Sequence, residues 1–181
     1  MNLLAANLLA TFLSFVAAGL VAAWYVAPAL TRRPLAQALT LLMWVEAFRY
    51  VALQIFSAAD VAGLTASGTA QRVIAFGDLT TAVLALMSLI ALRRLHPSAR
   101  PLVWVVAVVG AADLVSATAT GISERLTDTA SDWSWVILAF YVPALWVTAV
   151  LTFWQLLTRR QESLRRDAPA FQLDAMSSPT T

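Results

Sequence analysis

Five apolar stretches, each about twenty residues long, constrain what this chain can fold into. A helix of that length spans roughly 30 Å, the hydrocarbon thickness of a bilayer. The loops between the stretches are short, and only 12% of the residues are charged. The sequence therefore predicts an all-α, polytopic membrane protein, a bundle of five transmembrane helices at about residues 3–27, 36–56, 70–92, 101–122 and 133–157.

The predicted helices form one transmembrane domain, residues 1–158. The remaining tail, residues 159–181, mixes arginines with Ser, Thr and Pro and has too few apolar residues to fold alone. We expect it to be disordered. So little polar sequence lies between the apolar stretches that we expect no separate soluble domain.

The placement of arginine predicts the orientation of the bundle. Five spans bring the loops at 31–35 and 93–100 to the same side as the tail, and that side carries nine of the twelve arginines, against Arg72 and Arg125 on the other. Cytoplasmic loops carry the excess of basic residues. The sequence thus predicts a multi-pass protein of the inner (plasma) membrane, with its N-terminus outside and its C-terminus inside. Its cytoplasmic arginines are expected to contact anionic lipid headgroups.

Four charged residues interrupt the apolar spans. Glu46 and Arg49 lie in the second span, Asp78 in the third and Asp113 in the fourth. With a rise of 1.5 Å per residue, all four fall within roughly 5 Å of the bilayer midplane. A lone charge at this depth is costly, and arginine presents five donors that can bind more than one carboxylate. We therefore expect the three acids to converge on Arg49.

The charge count of this cluster suggests a function. One arginine against three ionised acids leaves a surplus of two negative charges, which a low-dielectric interior opposes. Either at least one acid binds a proton near neutral pH, with Glu46 the first choice, or a cation occupies the site. Glu46, Arg49, Asp78 and Asp113 are therefore the predicted residues for ligand or proton binding.

Polar side chains at helical spacing lie near these charges. They predict a cavity open toward the outer side, or else a set of hydrogen bonds between helices. The predicted cavity-lining residues are Tyr50, Thr81, Ser116, Thr120, Tyr141 and Thr148.

Missing residue types exclude several kinds of chemistry. The chain has no Lys and no Cys, so it cannot form a Schiff base, a disulfide or a cysteine metal site. Its single histidine, His96, lies in an arginine-rich loop, which excludes bis-histidine haem binding. No phosphate-binding loop, metalloprotease motif or nucleophile elbow is present. The sequence predicts no cofactor, no metal site, no catalytic residue and no nucleic-acid binding.

Short motifs around the intramembrane charges carry a resemblance. The sequence contains Phe48-Arg49-Tyr50, then Phe76-Gly77-Asp78-Leu79, then Trp104 followed by Gly110-Ala111-Ala112-Asp113-Leu114. This pattern resembles a group of uncharacterised small multi-pass proteins of bacterial inner membranes. The resemblance covers a little under half of the chain and implies a location, but no activity.

Three functional hypotheses remain open. The first is an integral membrane protein that binds or transfers a proton, cation or small solute at the buried cluster. The second is a non-catalytic membrane subunit or assembly factor in which the cluster only locks the helices together. The third is a lipid-modifying enzyme that uses Glu46 or Asp78 as a general acid or base. The sequence favours a protein that is not an enzyme, and it leaves open a membrane-protein partner or a homo-oligomer.

Overall fold

Helices account for the ordered architecture. The computed structural model describes residues 2–61, 64 and 66–164, in which no strand occurs. Five helices in this part of the chain are long and apolar enough to cross a membrane, as the sequence predicts. They are α1 Leu3–Thr31, α2 Leu35–Asp60, α3 Gly68–Arg93, α4 Ala99–Ser123 and α5 Asp132–Thr158. A short helix, Leu126–Thr129, precedes α5.

Two helices continue through a proline. Proline lacks an N–H, and its ring crowds the carbonyl four residues earlier. A widened π-helical turn precedes each proline, at Ala22–Val26 before Pro28 and at Ile137–Tyr141 before Pro143. Such a turn accommodates an interrupted hydrogen-bond ladder without ending the helix. The sequence predicts that the first helix ends near residue 27, whereas α1 continues to Thr31.

The second helix is longer than predicted and changes its winding. It comprises an α-helical segment Leu35–Ala47, a 3₁₀ segment Phe48–Leu53 and a second α-helical segment Gln54–Val61. The predicted end at residue 56 is at least four residues too early, because Ala58 packs into a buried cluster and the helix continues with it. The other predicted helix ends lie within two residues of those observed.

Hydrogen bonds show that the starts of α1 and α3 lie on the same side of the bundle as the end of α4. Nδ2 of Asn7, near the start of α1, donates to the carbonyl of Thr127 at 2.7 Å. Ser67, which precedes α3, donates from Oγ to Glu124 Oε1 at the end of α4 at 2.7 Å. We call this side of the bundle the Asn7 end and the opposite side the Arg159 end.

At the Arg159 end, one arginine joins several helix termini. Arg159 donates to both carboxylate oxygens of Glu162, at 2.6 and 2.7 Å, and to the carbonyl of Arg33 at 2.8 Å. Glu162 Oε1 also accepts from the N–H of Leu35 at 2.8 Å. Arg100, at the start of α4, donates to the carbonyls of residues 159, 160 and 162. We call Arg100, Arg159 and Glu162 the Arg159 cluster.

The first residues of the predicted tail therefore belong to the folded part. Residues 159–164 form a turn that packs against the ends of α1, α2 and α4 through the Arg159 cluster. Hydrogen bonds from Arg159 hold the pKa of Glu162 below its usual range. The predicted disorder of residues 165–181 concerns a segment outside the described residues.

Two of the three apolar clusters in the described part of the bundle lie toward its opposite ends. The larger one lies toward the Arg159 end and includes Leu39, Met43 and Val103. The smaller one lies toward the Asn7 end and includes Ile55 and Ala75. Arg49 on α2 and Asp78 on α3 lie between these two clusters along the chain, and Glu46 lies at the edge of the larger one.

Candidate functional site

Arg49 lies at the centre of the bundle, and its three nitrogens donate to groups on three helices. Nε donates to Asp78 Oδ1 at 2.5 Å, and Nη2 donates to Asp113 Oδ2 at 2.5 Å. Nη1 donates to Glu46 Oε2 at 3.2 Å and to the carbonyl of Gly110 at 3.1 Å. The structure thus brings together the four charged residues that the sequence predicts as one group. We call Glu46, Arg49, Asp78 and Asp113 the Arg49 cluster.

The Arg49 cluster is enclosed. The side chain of Arg49 is 0% exposed, and those of Glu46, Asp78 and Asp113 are 5%, 11% and 9% exposed. A buried guanidinium requires counter-ions, and its three partners supply more negative charge than it can neutralise. If all three acids ionise, the group carries two surplus negative charges. The arrangement can therefore accept protons or a further cation.

The winding of α2 helps to position the arginine. Arg49 lies in the 3₁₀ segment Phe48–Leu53, which directly follows the α-helical turn that carries Glu46. In a 3₁₀ helix, residues three apart lie nearly in line, because each turn contains three residues. Tighter winding therefore favours contact between Glu46 and Arg49, which are three residues apart. A 3₁₀ stretch in the middle of a helix often marks a functional hinge.

Two glycines allow the helices to approach the cluster. A Cβ atom at Gly77 would overlap the carboxylate of Asp113, which faces it from α4. A Cβ atom at Gly110 would lie 3.0 Å from Arg49 Nη1 and 3.4 Å from Glu46 Oε2. These contacts give a physical reason for glycine in two of the short motifs, the Phe-Gly-Asp-Leu of α3 and the Gly-Ala-Ala-Asp-Leu of α4.

A cavity of about 280 Å³ adjoins the cluster on the side of the Asn7 end. All five long helices contribute to its wall, for example through Leu8, Ile55, Ile74, Leu114 and Leu145. We call it the Asp78 cavity, because Asp78 is the single charged side chain among the described residues that line it. The cluster is therefore reached by a mainly apolar space.

The structure places one of the six predicted lining residues, Tyr141, in the wall of the Asp78 cavity. Its hydroxyl donates to the carbonyl of Val45 at 3.3 Å. Tyr50 is exposed on the outside of α2. Thr81 is fully buried and donates to the carbonyl of Gly77 at 3.1 Å. Thr148 lines a separate groove beside α1.

The two lining residues predicted on α4 lie beside the face that meets the cavity. Ser116 is exposed, and Thr120 is half-buried outside the cavity wall. The residues of α4 that line the cavity are Leu114, Ala117, Thr118, Gly121 and Ile122. One residue corresponds to about 100° of rotation on an α-helix. Ser116 and Thr120 follow Asp113 by three and seven residues, whereas the cavity-lining residues follow Leu114 at the same spacing. The two sets therefore lie on neighbouring faces of α4.

Two further polar residues, Gln54 and Thr118, lie in the cavity wall; Gln54 continues the polar face that the sequence predicts at Tyr50, whereas Thr118 is not among the predicted residues. Oε1 of Gln54 and Oγ1 of Thr118 are enclosed, and neither has a hydrogen-bond partner within the described part of the chain. Buried polar atoms are normally paired. Both atoms can accept a hydrogen bond, so they leave acceptor capacity beside the cavity.

The donor arrangement around Arg49 differs from that of a metal site. Over residues 2–61, 64 and 66–164, no three side chains of His, Cys, Asp or Glu are grouped so that they could hold a metal ion. The three acids of the Arg49 cluster each contact the guanidinium instead. The predicted roles of these residues in binding remain predictions.

Comparison with known proteins identifies the family of the chain. No curated protein and no solved structure matches it. The model of a family described as a domain of unknown function, DUF8737, matches residues 6–157. This range includes the Arg49 cluster, the Asp78 cavity and nearly all of the five long helices. The chain therefore belongs to the DUF8737 family.

Proposed function

We propose that this protein spans the bacterial inner membrane and binds or transfers a proton, cation or small solute at the Arg49 cluster. Large apolar side chains are exposed on each long helix, and they include Phe12, Trp44, Phe76, Val115 and Val150. Such a surface is unfavourable in water and is covered favourably by lipid.

The proposed orientation places the Asn7 end outside and the Arg159 end in the cytoplasm. This follows the excess of arginine at the Arg159 end. There, Arg32, Arg93 and Arg94 are exposed and suited to anionic headgroups. Arg100 and Arg159 instead donate to acceptors within the protein.

The absence of cysteine makes the orientation directly testable. Ser123→Cys places a thiol at the Asn7 end, and His96→Cys places one in the loop at the opposite end; both side chains are exposed. A membrane-impermeant maleimide should label Ser123→Cys in intact spheroplasts and His96→Cys only after lysis. The reverse pattern would overturn the orientation.

The observation that carries the proposed function is the imbalance of charge around Arg49. A cluster that served only to lock the helices would be satisfied by one acid for one base. Here one guanidinium contacts three carboxylates in an enclosed space that adjoins a cavity. Two uncompensated charges in such surroundings favour uptake of protons or of a cation.

Infrared difference spectroscopy of the protein in lipid nanodiscs tests this proposal. During a pH titration without added organic cation, we expect the C=O band of a protonated carboxylic acid to appear near neutral pH. Asp113→Asn should remove or shift this band, whereas Asp60→Asn, which alters an exposed acid, should not. A spectrum in which all three cluster acids stay ionised with no bound cation would refute the proposal.

A further inference from the structure

The Asp78 cavity has the shape of a small ligand site whose wall is apolar and whose charge lies at one end. Its described wall contains Asp78 as the charged group, with aliphatic and aromatic residues around most of the remainder. Tyr141 and Trp146 contribute aromatic rings to this wall. A volume of about 280 Å³ is close to the lower limit for ligand pockets. A compact molecule with one polar group therefore fits better than a sugar or a nucleotide.

Two polar atoms beside the cavity can each accept a hydrogen bond. Oε1 of Gln54 and Oγ1 of Thr118 have no hydrogen-bond partner within the described residues. They lie on α2 and α4, and the carboxylate of Asp78 lies on α3. If the two side chains rotate toward the cavity, a ligand that donates hydrogen bonds would satisfy both atoms. An anionic ligand would leave Gln54 Oε1 unpaired, because only the Thr118 hydroxyl can also donate.

The charge of the neighbouring Arg49 cluster also favours a positively charged ligand. Asp78 accepts a hydrogen bond from Arg49 through Oδ1, yet the cluster as a whole keeps a surplus of negative charge. A positively charged head group near Asp78 would reduce this surplus. Aromatic rings in the wall also attract cations.

We propose that the Asp78 cavity binds a monovalent organic ammonium ion, with the ammonium group at Asp78 and the apolar body among the cavity walls. This inference rests on the proposed function, since it names the class of cation that the cluster would bind. An alkyl or aryl ammonium ion supplies N–H donors, which Gln54 and Thr118 would accept after their side chains rotate toward the cavity, and its carbon skeleton matches the apolar wall.

Isothermal titration calorimetry with the full chain in nanodiscs tests the charge requirement. The probes are phenethylammonium chloride and phenethyl alcohol, a neutral molecule of similar shape. We expect the ammonium ion to bind about tenfold or more tightly than the alcohol, and Asp78→Asn to remove most of this difference. Equal binding of the two probes to the unmodified protein would overturn the inference.

A cavity-filling substitution tests the location without altering a charge. Gly121 lines the cavity, and a Cβ atom there would make only one contact, at 3.9 Å from Leu126. Gly121→Leu should therefore fill the cavity and weaken ammonium binding by about tenfold or more. Gly19→Leu is the matched control, since Gly19 lies outside the cavity and a Cβ atom there meets nothing within 4 Å. If Gly121→Leu bound the ammonium ion as the control does, the inference would be wrong.

The two proposals fail in different ways. A protein that shows the carboxylic acid band but binds no phenethylammonium retains the proposed function and refutes the ammonium site. Ammonium binding that depends on Gly121 and Asp78, in a protein whose acids never take up a proton, supports the ammonium site and refutes proton uptake. Because Gly121→Leu and the probe pair keep the charges intact, the test stands even if Asp78→Asn does not fold.

Discussion

Two arginines organise opposite regions of this molecule, and their partners differ. Arg49 donates to three carboxylates and one carbonyl in the middle of the bundle. Arg159 donates to one carboxylate, one amide oxygen and two backbone carbonyls at the end of the bundle. The side chain of Arg49 is 0% exposed, whereas that of Arg159 is 15% exposed.

The difference separates a structural junction from a candidate site. The last carbonyls of a helix have no hydrogen-bond donor within the helix, and Arg159 supplies donors to such carbonyls. Arg100 and Arg159 together exceed the charge of Glu162, but this excess lies where water or lipid headgroups can reach it. Around Arg49 the surplus would be negative and enclosed if all three acids ionised, and for this reason we propose that the site takes up a proton or a cation.

The largest expected effect comes from removing each arginine in turn. Arg49→Gln leaves three buried acids without their partner, and breaking a buried ion pair from one side costs about 3–5 kcal/mol. Arg159→Gln leaves carbonyls and one half-exposed acid, for which we expect a loss of about 1–3 kcal/mol. Melting temperatures in nanodiscs should therefore fall much further for Arg49→Gln. Equal losses would remove the distinction between the two clusters.

A second comparison concerns the glycines that border the Arg49 cluster. Gly77→Ala would displace the carboxylate of Asp113, and Gly110→Ala would press on Arg49 at 3.0 Å. Overpacking of this kind costs about 1–3 kcal/mol. Gly19→Ala, with nothing within 4 Å of the new atom, is the control and should be neutral or slightly stabilising. If all three variants melted alike, the glycines would not be constrained by the cluster.

Much of the central region was accessible from sequence, because it depends on simple rules. Apolar length predicts the five helices, and the cost of a lone buried charge predicts that Asp78 and Asp113 meet Arg49. Neither rule requires atomic detail. The function of the cluster remains a prediction.

Other features depend on details that periodicity does not contain. The π-turn before Pro28 keeps α1 continuous to Thr31, beyond its predicted end, whereas the continuity of α5 through Pro143 agrees with the predicted span at 133–157. The predicted lining residues Ser116 and Thr120 lie on the face of α4 next to the one that lines the cavity. The Arg159 cluster was missed because most of its acceptors are backbone carbonyls, which every sequence possesses and no pattern distinguishes.

The smallest expected effect is the pH dependence of the stability that Glu162 contributes at the Arg159 cluster. Hydrogen bonds from Arg159 hold the pKa of Glu162 below its usual range. The ionised carboxylate therefore stabilises the folded state at pH values above the pKa of the unfolded state, about 4.3. This stabilisation is lost as the pH falls through the lower pKa of the folded state. Because the Glu162 side chain is 38% exposed, solvent screening limits the contribution to about 1 kcal/mol or less.

Glu162→Gln should therefore lower the melting temperature slightly at neutral pH, and the difference from the unmodified protein should shrink as the pH is lowered below about 4. High salt should also reduce it, since the Arg159–Glu162 pair is partly open to solvent. Asp60→Asn, which removes an exposed acid at the opposite end of the bundle, is the control for a general effect of lost charge. A difference that stayed constant from neutral to acidic pH would mean that Glu162 acts through packing, and the Arg159 cluster would then lack the electrostatic character that we contrast with Arg49.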